Sequence, residues 1–211
     1  MERFFDISDE IPPESREGAG AYFERLFGRR APLTVEIGSG NGHFLVARAE
    51  AEPQRDFVGT EILGGRARKF HAKIQKRALP NIVVFKGDAR RFVWEFLFRD
   101  MVSEFVAMFP DPWPKKKHHK HRILKRPFLQ MLHLRLEPGG TLYIVTDDRG
   151  YRDWILEEIS GVQGLVPLFP GGFTGYPGQL PPSLFEMRFR ERGRALYHAR
   201  YRKTGAPLPP R

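Results

Sequence analysis

Leu33-Thr34-Val35-Glu36-Ile37-Gly38-Ser39-Gly40-Asn41-Gly42-His43 is the stretch whose reading decides the fold. Leu33–Ile37 is short and rich in β-branched residues, which predicts a buried strand. The glycines that follow at alternate positions permit positive φ and a close approach of ligand to backbone. A helical pattern then runs from His43 to about Glu50. Strand, glycine-rich turn and helix make the entry unit of a nucleotide-binding α/β sheet.

Outward from that unit the same alternation repeats. Asp56–Thr60, Ile82–Lys86, Glu104–Met108 and Thr141–Thr146 read as strands. Gly64–Ala78, Arg90–Phe98, Pro127–Leu136 and Tyr151–Ile159 read as helices between and after them. This order predicts a mostly parallel central sheet with helices on both faces. Residues 1–32 read as an arm with a short helix, Gly20–Phe27, and Glu137-Pro138-Gly139-Gly140 as a turn. Gly161–Pro182 reads as an irregular loop with a short strand at Leu165–Phe169. Ser183–Arg192 is expected to be helical, Ala195–Arg202 to be a last strand, and 204–211 to be a proline-rich tail. One domain over residues 1–211 is the expected organisation.

A hydrophobic fraction of 41% excludes a disordered chain. The formal net charge of +10 favours a polyanionic partner. No apolar run reaches membrane-spanning length and Met1–Asp9 does not read as a secretory leader, so nucleic acid and a cytoplasmic location are expected, without a membrane. The chain has no cysteine, which excludes disulfides, Fe–S clusters and thiolate metal sites.

Three chemistries compete for the glycine turn. A dinucleotide fingerprint needs a third small residue where His43 stands, and a P-loop needs a Gly-Lys-Ser/Thr that is absent. The remaining pattern has an acid, Glu36, at the strand end just before the first glycine. That carboxylate repels a pyrophosphate and welcomes a cationic amino group, such as the one S-adenosylmethionine carries beside its sulfonium. Glu61, at the end of the next strand, is placed to bind ribose hydroxyls, and Asp88, after the third, to reach an adenine edge.

The second informative stretch is Phe109-Pro110-Asp111-Pro112-Trp113-Pro114, followed by seven Lys/Arg and three His up to Arg126 with no acid. Proline fixes its own φ and restricts its predecessor, so Asp111 stands on a braced turn at a strand's carboxyl end. An acid, an aromatic face and a phosphate-binding run suggest chemistry on a nucleic-acid base. His118, His119 and His121 have no carboxylate or thiolate company, so no metal is expected and phosphate contact or solvation is the better reading. Trp113 fits core packing as well as base stacking. The basic helix from Arg66 to Arg77 fits a solvated face.

The Phe109–Arg122 segment resembles the signature of the tRNA (guanine-N7-)-methyltransferase family. Glu36–Gly42 resembles the methyltransferase motif for S-adenosyl-L-methionine, and Leu136–Leu142 resembles the turn before a strand in many such enzymes. The resemblance spans roughly Leu33–Lys203. It implies a Rossmann-like methyltransferase fold with an antiparallel last strand, and methylation of a guanine in the variable loop of tRNA by a monomer or homodimer. It implies a cofactor site at Glu36, Gly38, Gly40, Gly42, Glu61, Asp88 and Asp111, with catalysis at Asp111. It implies substrate contacts at Lys115, Asp147, Ser183, Phe185 and Glu186. Ser183-Leu184-Phe185-Glu186 departs from the family's Thr-x-Tyr-Glu, and the lost phenol removes a hydrogen bond. Ser183 with Glu186 also fits a helix capping box. Two alternatives stay open at this point: methylation of an exocyclic amino group, because Asp-Pro-Trp resembles part of that motif, and a non-catalytic RNA-binding protein on the same fold.

Overall fold

A computed structural model describes residues 3–175, 177 and 184–205, the side chains of 184, 185 and 190 excepted. The strands are β1 (Phe4–Asp6), β2 (Leu33–Ile37), β3 (Asp56–Glu61), β4 (Ile82–Lys86), β5 (Val102–Met108), β6 (Leu136–Thr146), β7 (Leu165–Pro167), β8 (Phe173–Thr174) and β9 (Tyr197–Lys203). The helices are α1 (Arg16–Phe27), α2 (His43–Ala51), α3 (Gly64–Lys76), α4 (Ala89–Glu95), α5 (Arg126–Arg135), α6 (Arg149–Ser160) and α7 (Leu184–Glu191). A 3₁₀ helix, Lys116–His121, lies between β5 and α5.

The sheet order is β1-β4-β3-β2-β5-β6-β9-β7, with β8 also on β9. β1 to β6 pair in parallel, and β9 is antiparallel to β6, β7 and β8. Every residue of β2 and β3 is buried, as expected of parallel strands covered on both faces. On one face α2 and α3 bring Leu45, Val46, Phe70 and Ile74 onto Phe57, Ile82 and Val84. On the other, Tyr22, Phe92, Phe96, Leu129 and Ile155 cover Val35, Val58, Phe85 and Phe105. Phe92 stacks on Phe96 at 5.4 Å, and Phe85 meets Phe92 at 4.8 Å, which fixes α4 against the sheet.

Strand order reverses at β2, whose neighbours are β3 and β5. Beyond the carboxyl ends of β2 and β5 the chain departs to opposite sides and leaves a crevice. The glycine turn after β2 and the proline loop after β5 stand on its two sides, so topology alone places the two informative stretches together.

The arm differs from expectation. Phe4–Asp6 pairs with Val84–Lys86, Phe5 and Ile7 are buried, and α1 starts at Arg16. Ser15 caps α1 by accepting from the Gly18 N–H at 3.0 Å, a local bond that outweighs the two glycines within the helix. The Glu137–Gly140 turn is drawn into β6, with a register irregularity opposite Val102–Glu104. Among the described residues no helix is long and apolar enough to cross a membrane.

Candidate active site

Gly38, Gly40 and Gly42 all adopt the left-handed region, with φ of 74°, 55° and 71°. At Gly42 the requirement is also steric, because a Cβ there would lie 2.0 Å from Phe70 Cδ2 of α3. The turn is held from the neighbouring strand: Glu61 Oε2 accepts from the Gly40 N–H at 2.8 Å, and Oε1 accepts from the Leu63 N–H at 2.8 Å. Each carboxylate oxygen keeps a second lone pair, so Glu61 can shape the turn and still accept from ligand hydroxyls.

Glu36 is buried under the turn, and its Oε2 has no hydrogen-bond partner among the described residues. Burial pushes its carboxyl up to about 7; Ser39 and Arg48 oppose that shift, and Glu61 adds to it. A buried carboxylate oxygen without a donor, beside backbone that a ligand can approach, fits a cationic amino group. The donor set therefore suits S-adenosylmethionine.

Asp88 caps α4, accepting from the Arg90 N–H at 2.8 Å, and also takes the Arg90 guanidinium at 2.7 Å. Those bonds, led by the Arg90 side chain, hold its carboxyl below the usual range.

The loop after β5 is strained. Phe109 and Trp113 have φ of 51° and 44° without being glycine, a state that costs on the order of 1–3 kcal/mol each and persists only where the surroundings impose it. The Phe109 N–H donates to the Val145 carbonyl at 2.8 Å, and its ring meets Phe189 of α7 edge-on at 5.3 Å. Arg122 Nε donates to the Pro112 carbonyl at 2.7 Å. The buried Arg122 guanidinium lies 5.1 Å from the Tyr151 ring centroid and 4.8 Å from that of Trp154, two stacked rings of α6. Asp111 is exposed between these two anchors.

A cleft of about 370 Å³ opens here, with Gly38, Glu61, Asp88, Asp111, Trp113 and Arg66 among its walls. Glu61, Asp88 and Asp111, three of the acids expected at the cofactor, thus share one cavity; Glu36, Gly40 and Gly42 are not on its walls. Trp113 does not enter the core. It stands at the cleft, edge-on to His118 at 5.8 Å and tilted on His121 at 5.1 Å. Among the described residues no three His, Cys, Asp or Glu form a metal-holding group.

Lys115, Asp147 and Glu186 lie off these walls. Lys115 is exposed and caps the 3₁₀ helix, its carbonyl accepting from the His118 N–H at 2.8 Å. Asp147 accepts from Arg194 Nη1 at 2.8 Å. Glu186 is buried, 3.7 Å from His198 Nε2, while His198 Nδ1 is 2.7 Å from the Tyr143 hydroxyl. Ser183 and the side chain of Phe185 lie outside the described residues. Arg66 and His121, which the sequence pattern offers as a solvated helix face and as a phosphate contact or solvated residue, are walls of the cleft. Arg122 is legible in the sequence only as one charge in a basic run; the signal for its burial is the aromatic pair Tyr151 and Trp154, one helical turn apart.

A family model described as "Putative methyltransferase" matches residues 30–170. The tRNA (guanine-N(7)-)-methyltransferase of Leifsonia xyli subsp. xyli is 38% identical over 187 residues, covering 88% of this chain and 81% of that protein. The protein of that name from Methylococcus capsulatus is 35% identical over 180 residues, covering 85% and 78%. In fold, the chain is similar to the 16S rRNA methyltransferase KamB at a TM-score of 0.66 and 17% identity, covering 87% of this chain and 93% of that one. A geranyl diphosphate C-methyltransferase from Streptomyces coelicolor superposes at 0.57 with 10% identity, covering 91% and 82%, so the fold alone does not choose a substrate.

Proposed function

The chain belongs to the tRNA (guanine-N(7)-)-methyltransferase family, and we propose from that premise that its cleft serves methyl transfer from S-adenosylmethionine to N7 of a guanine in the variable loop of tRNA. The observation that carries this reading is the placement of Asp111, on a strained and anchored loop, across one cleft from the acids of β3 and β4. A cytoplasmic location suits that substrate.

When bound, S-adenosylmethionine supplies an electrophilic methyl group. Guanine N7 presents a lone pair and carries no proton, so the chain has no base catalysis to perform. Its tasks are to orient and to stabilise charge. Glu36 and Glu61 hold the cofactor's cationic and hydroxyl ends. Asp111 accepts from the guanine N1–H and exocyclic amine, which selects guanine over adenine, and its charge stabilises the purine as it becomes cationic. Trp113 offers a face to the extruded base. Lys115–Lys120 contact the RNA backbone.

The test is to incubate the protein with labelled S-adenosylmethionine and unmodified tRNA and to map the product by alkaline cleavage and mass spectrometry. N7-methylguanosine in the variable loop is the expected product. An alkali-stable exocyclic N-methyl product, or cofactor binding without transfer, would overturn the reading.

Glu36 gives a second handle. A bound cation favours its ionised form, whereas the free protein holds its carboxyl up at about 7. Cofactor affinity should therefore rise with pH toward 7 and fall again only where the cofactor's own α-ammonium loses its proton, at about pH 8. Calorimetry in buffers of different ionisation enthalpy should detect proton release that vanishes on the alkaline side, and Glu36→Gln should abolish it. Pronounced proton release in Glu36→Gln would assign the linkage elsewhere. For folding the sign is opposite: the raised native value means this group's contribution to stability falls as pH rises from about 4.5 to 7.

A further inference from the structure

α3 carries five Lys/Arg and no acid, and Arg77 caps its carboxyl end. Ala67, Phe70 and Ile74 define its core face. At about 100° per residue, Arg66, Lys69, Lys73, Lys76 and Arg77 fall in one stripe on one flank, and Arg68 falls on the other. Contacts confirm the division. Lys73 Nζ donates to the Asn41 carbonyl of the glycine turn at 2.6 Å, and Arg77 pairs with Glu50 of α2 at 3.1 Å. Arg68 instead folds back over Gly64, toward Lys86.

Like charges one helical turn apart destabilise a helix. Lys69 and Lys76 nevertheless have no ion pair or side-chain hydrogen bond among the described residues, so nothing within the described chain offsets that repulsion. The stripe is also continuous with the cleft. Arg66 is one of its walls. His43, at the start of α2, is held below its ordinary value by burial first, and then by Lys73, Arg77 and Arg188 of α7, so the positive surface extends across the glycine turn. On the far side of the cleft stands the Lys116–His121 helix.

We propose that the α3 stripe is a second phosphate-binding track, which holds the tRNA backbone on the side of the cleft opposite Lys115–Lys120. It rests on the reading of the cleft as a tRNA-methylating site, and it adds where the rest of that RNA lies. The stripe is about 17 Å long from Arg66 to Arg77, enough to meet several phosphates. Two cationic bodies flanking one cleft explain how a base can be held out of its stack at the cleft without the RNA pivoting about a single contact.

The test reads RNA binding without methyl transfer. The dissociation constant of unmodified full-length tRNA is measured across salt concentrations for the wild type, for Lys69→Gln with Lys76→Gln, and for Arg68→Gln. Lys→Gln keeps helix propensity and relieves like-charge repulsion, so the melting temperature should hold or rise slightly, and since neither lysine lines the cleft, S-adenosylmethionine affinity should be unchanged. The logarithmic salt dependence should flatten by about 0.7–0.9 for every phosphate that is no longer neutralised. Flattening is expected in the double variant and not in Arg68→Gln. An unchanged slope in the double variant would overturn the proposal. So would equal flattening per charge in Arg68→Gln, which would reduce the effect to net charge. If the slope flattens as expected but the product is not N7-methylguanosine, the functional reading fails and the track stands. N7 methylation with a wild-type slope in the double variant gives the reverse.

Discussion

Asp111→Asn should lower the single-turnover rate of methyl transfer by about 10²–10³, with a smaller loss of tRNA affinity, because the amide can accept from only one of the two guanine donors, and little change in the affinity for S-adenosylmethionine. Asparagine keeps the shape and leaves the flanking prolines to hold the loop. It removes the negative charge that faces the purine as the purine becomes cationic, an interaction that grows toward the transition state and so appears in kcat. The pH profile separates this role from base catalysis. With no proton on N7, the wild-type rate at saturating cofactor should be flat from about pH 6 to 9. Any rise through neutrality should be confined to the KM for S-adenosylmethionine, where Glu36 ionises. A near-normal rate for Asp111→Asn would remove this residue from the mechanism. A wild-type rate climbing tenfold per pH unit at saturation, with chemistry limiting, would mean that a proton leaves the acceptor and that the target atom is not N7.

Local pattern makes much of this site legible. Leu33–Ile37 and Ile82–Lys86 are strands with the expected ends, because short runs rich in β-branched and apolar residues suit burial between two layers of helices. The glycine turn is legible because only glycine tolerates the left-handed backbone and the close approach to Phe70 that the turn requires. The acids after β3 and β4 are legible by position, but their present bonds are not. Asp88 caps α4 through a local bond from the Arg90 N–H, whereas Glu61 ties down Gly40 only because β3 lies beside β2. β1 escapes sequence pattern for the same reason. Three residues carry no periodicity, and Phe4–Asp6 is a strand only because the edge of β4 is there to pair with. In the basic run, composition correctly marks exposure for Lys115, Lys116, Lys117 and Lys120. It gives no warning that Arg122, of the same charge, turns inward.

Arg122 is therefore where charge and position make opposite predictions. If it belongs to the phosphate-binding run, Arg122→Lys keeps the cation and should leave tRNA binding and rate nearly intact. The structure puts it elsewhere: its Nε holds the Pro112 carbonyl at 2.7 Å, and its guanidinium packs on Tyr151 and Trp154. Lysine has neither the planar face for those rings nor a donor fixed at Nε. The Pro112 carbonyl would be left without its donor, and the left-handed Trp113 next to it would no longer be held in its backbone conformation. Asp111 lies one residue away on the other side. Displacement by about 1 Å can cost on the order of 10² in rate, so Arg122→Lys should reduce kcat by roughly that factor. The salt dependence of tRNA binding should stay as in the wild type, because every phosphate keeps its cation. Melting temperature and S-adenosylmethionine affinity, measured on the same samples, show whether the loss is confined to the loop. A flattened salt slope with a normal rate would return Arg122 to the RNA-binding surface. A wild-type rate with an unchanged slope would mean that the loop holds Asp111 by its prolines alone.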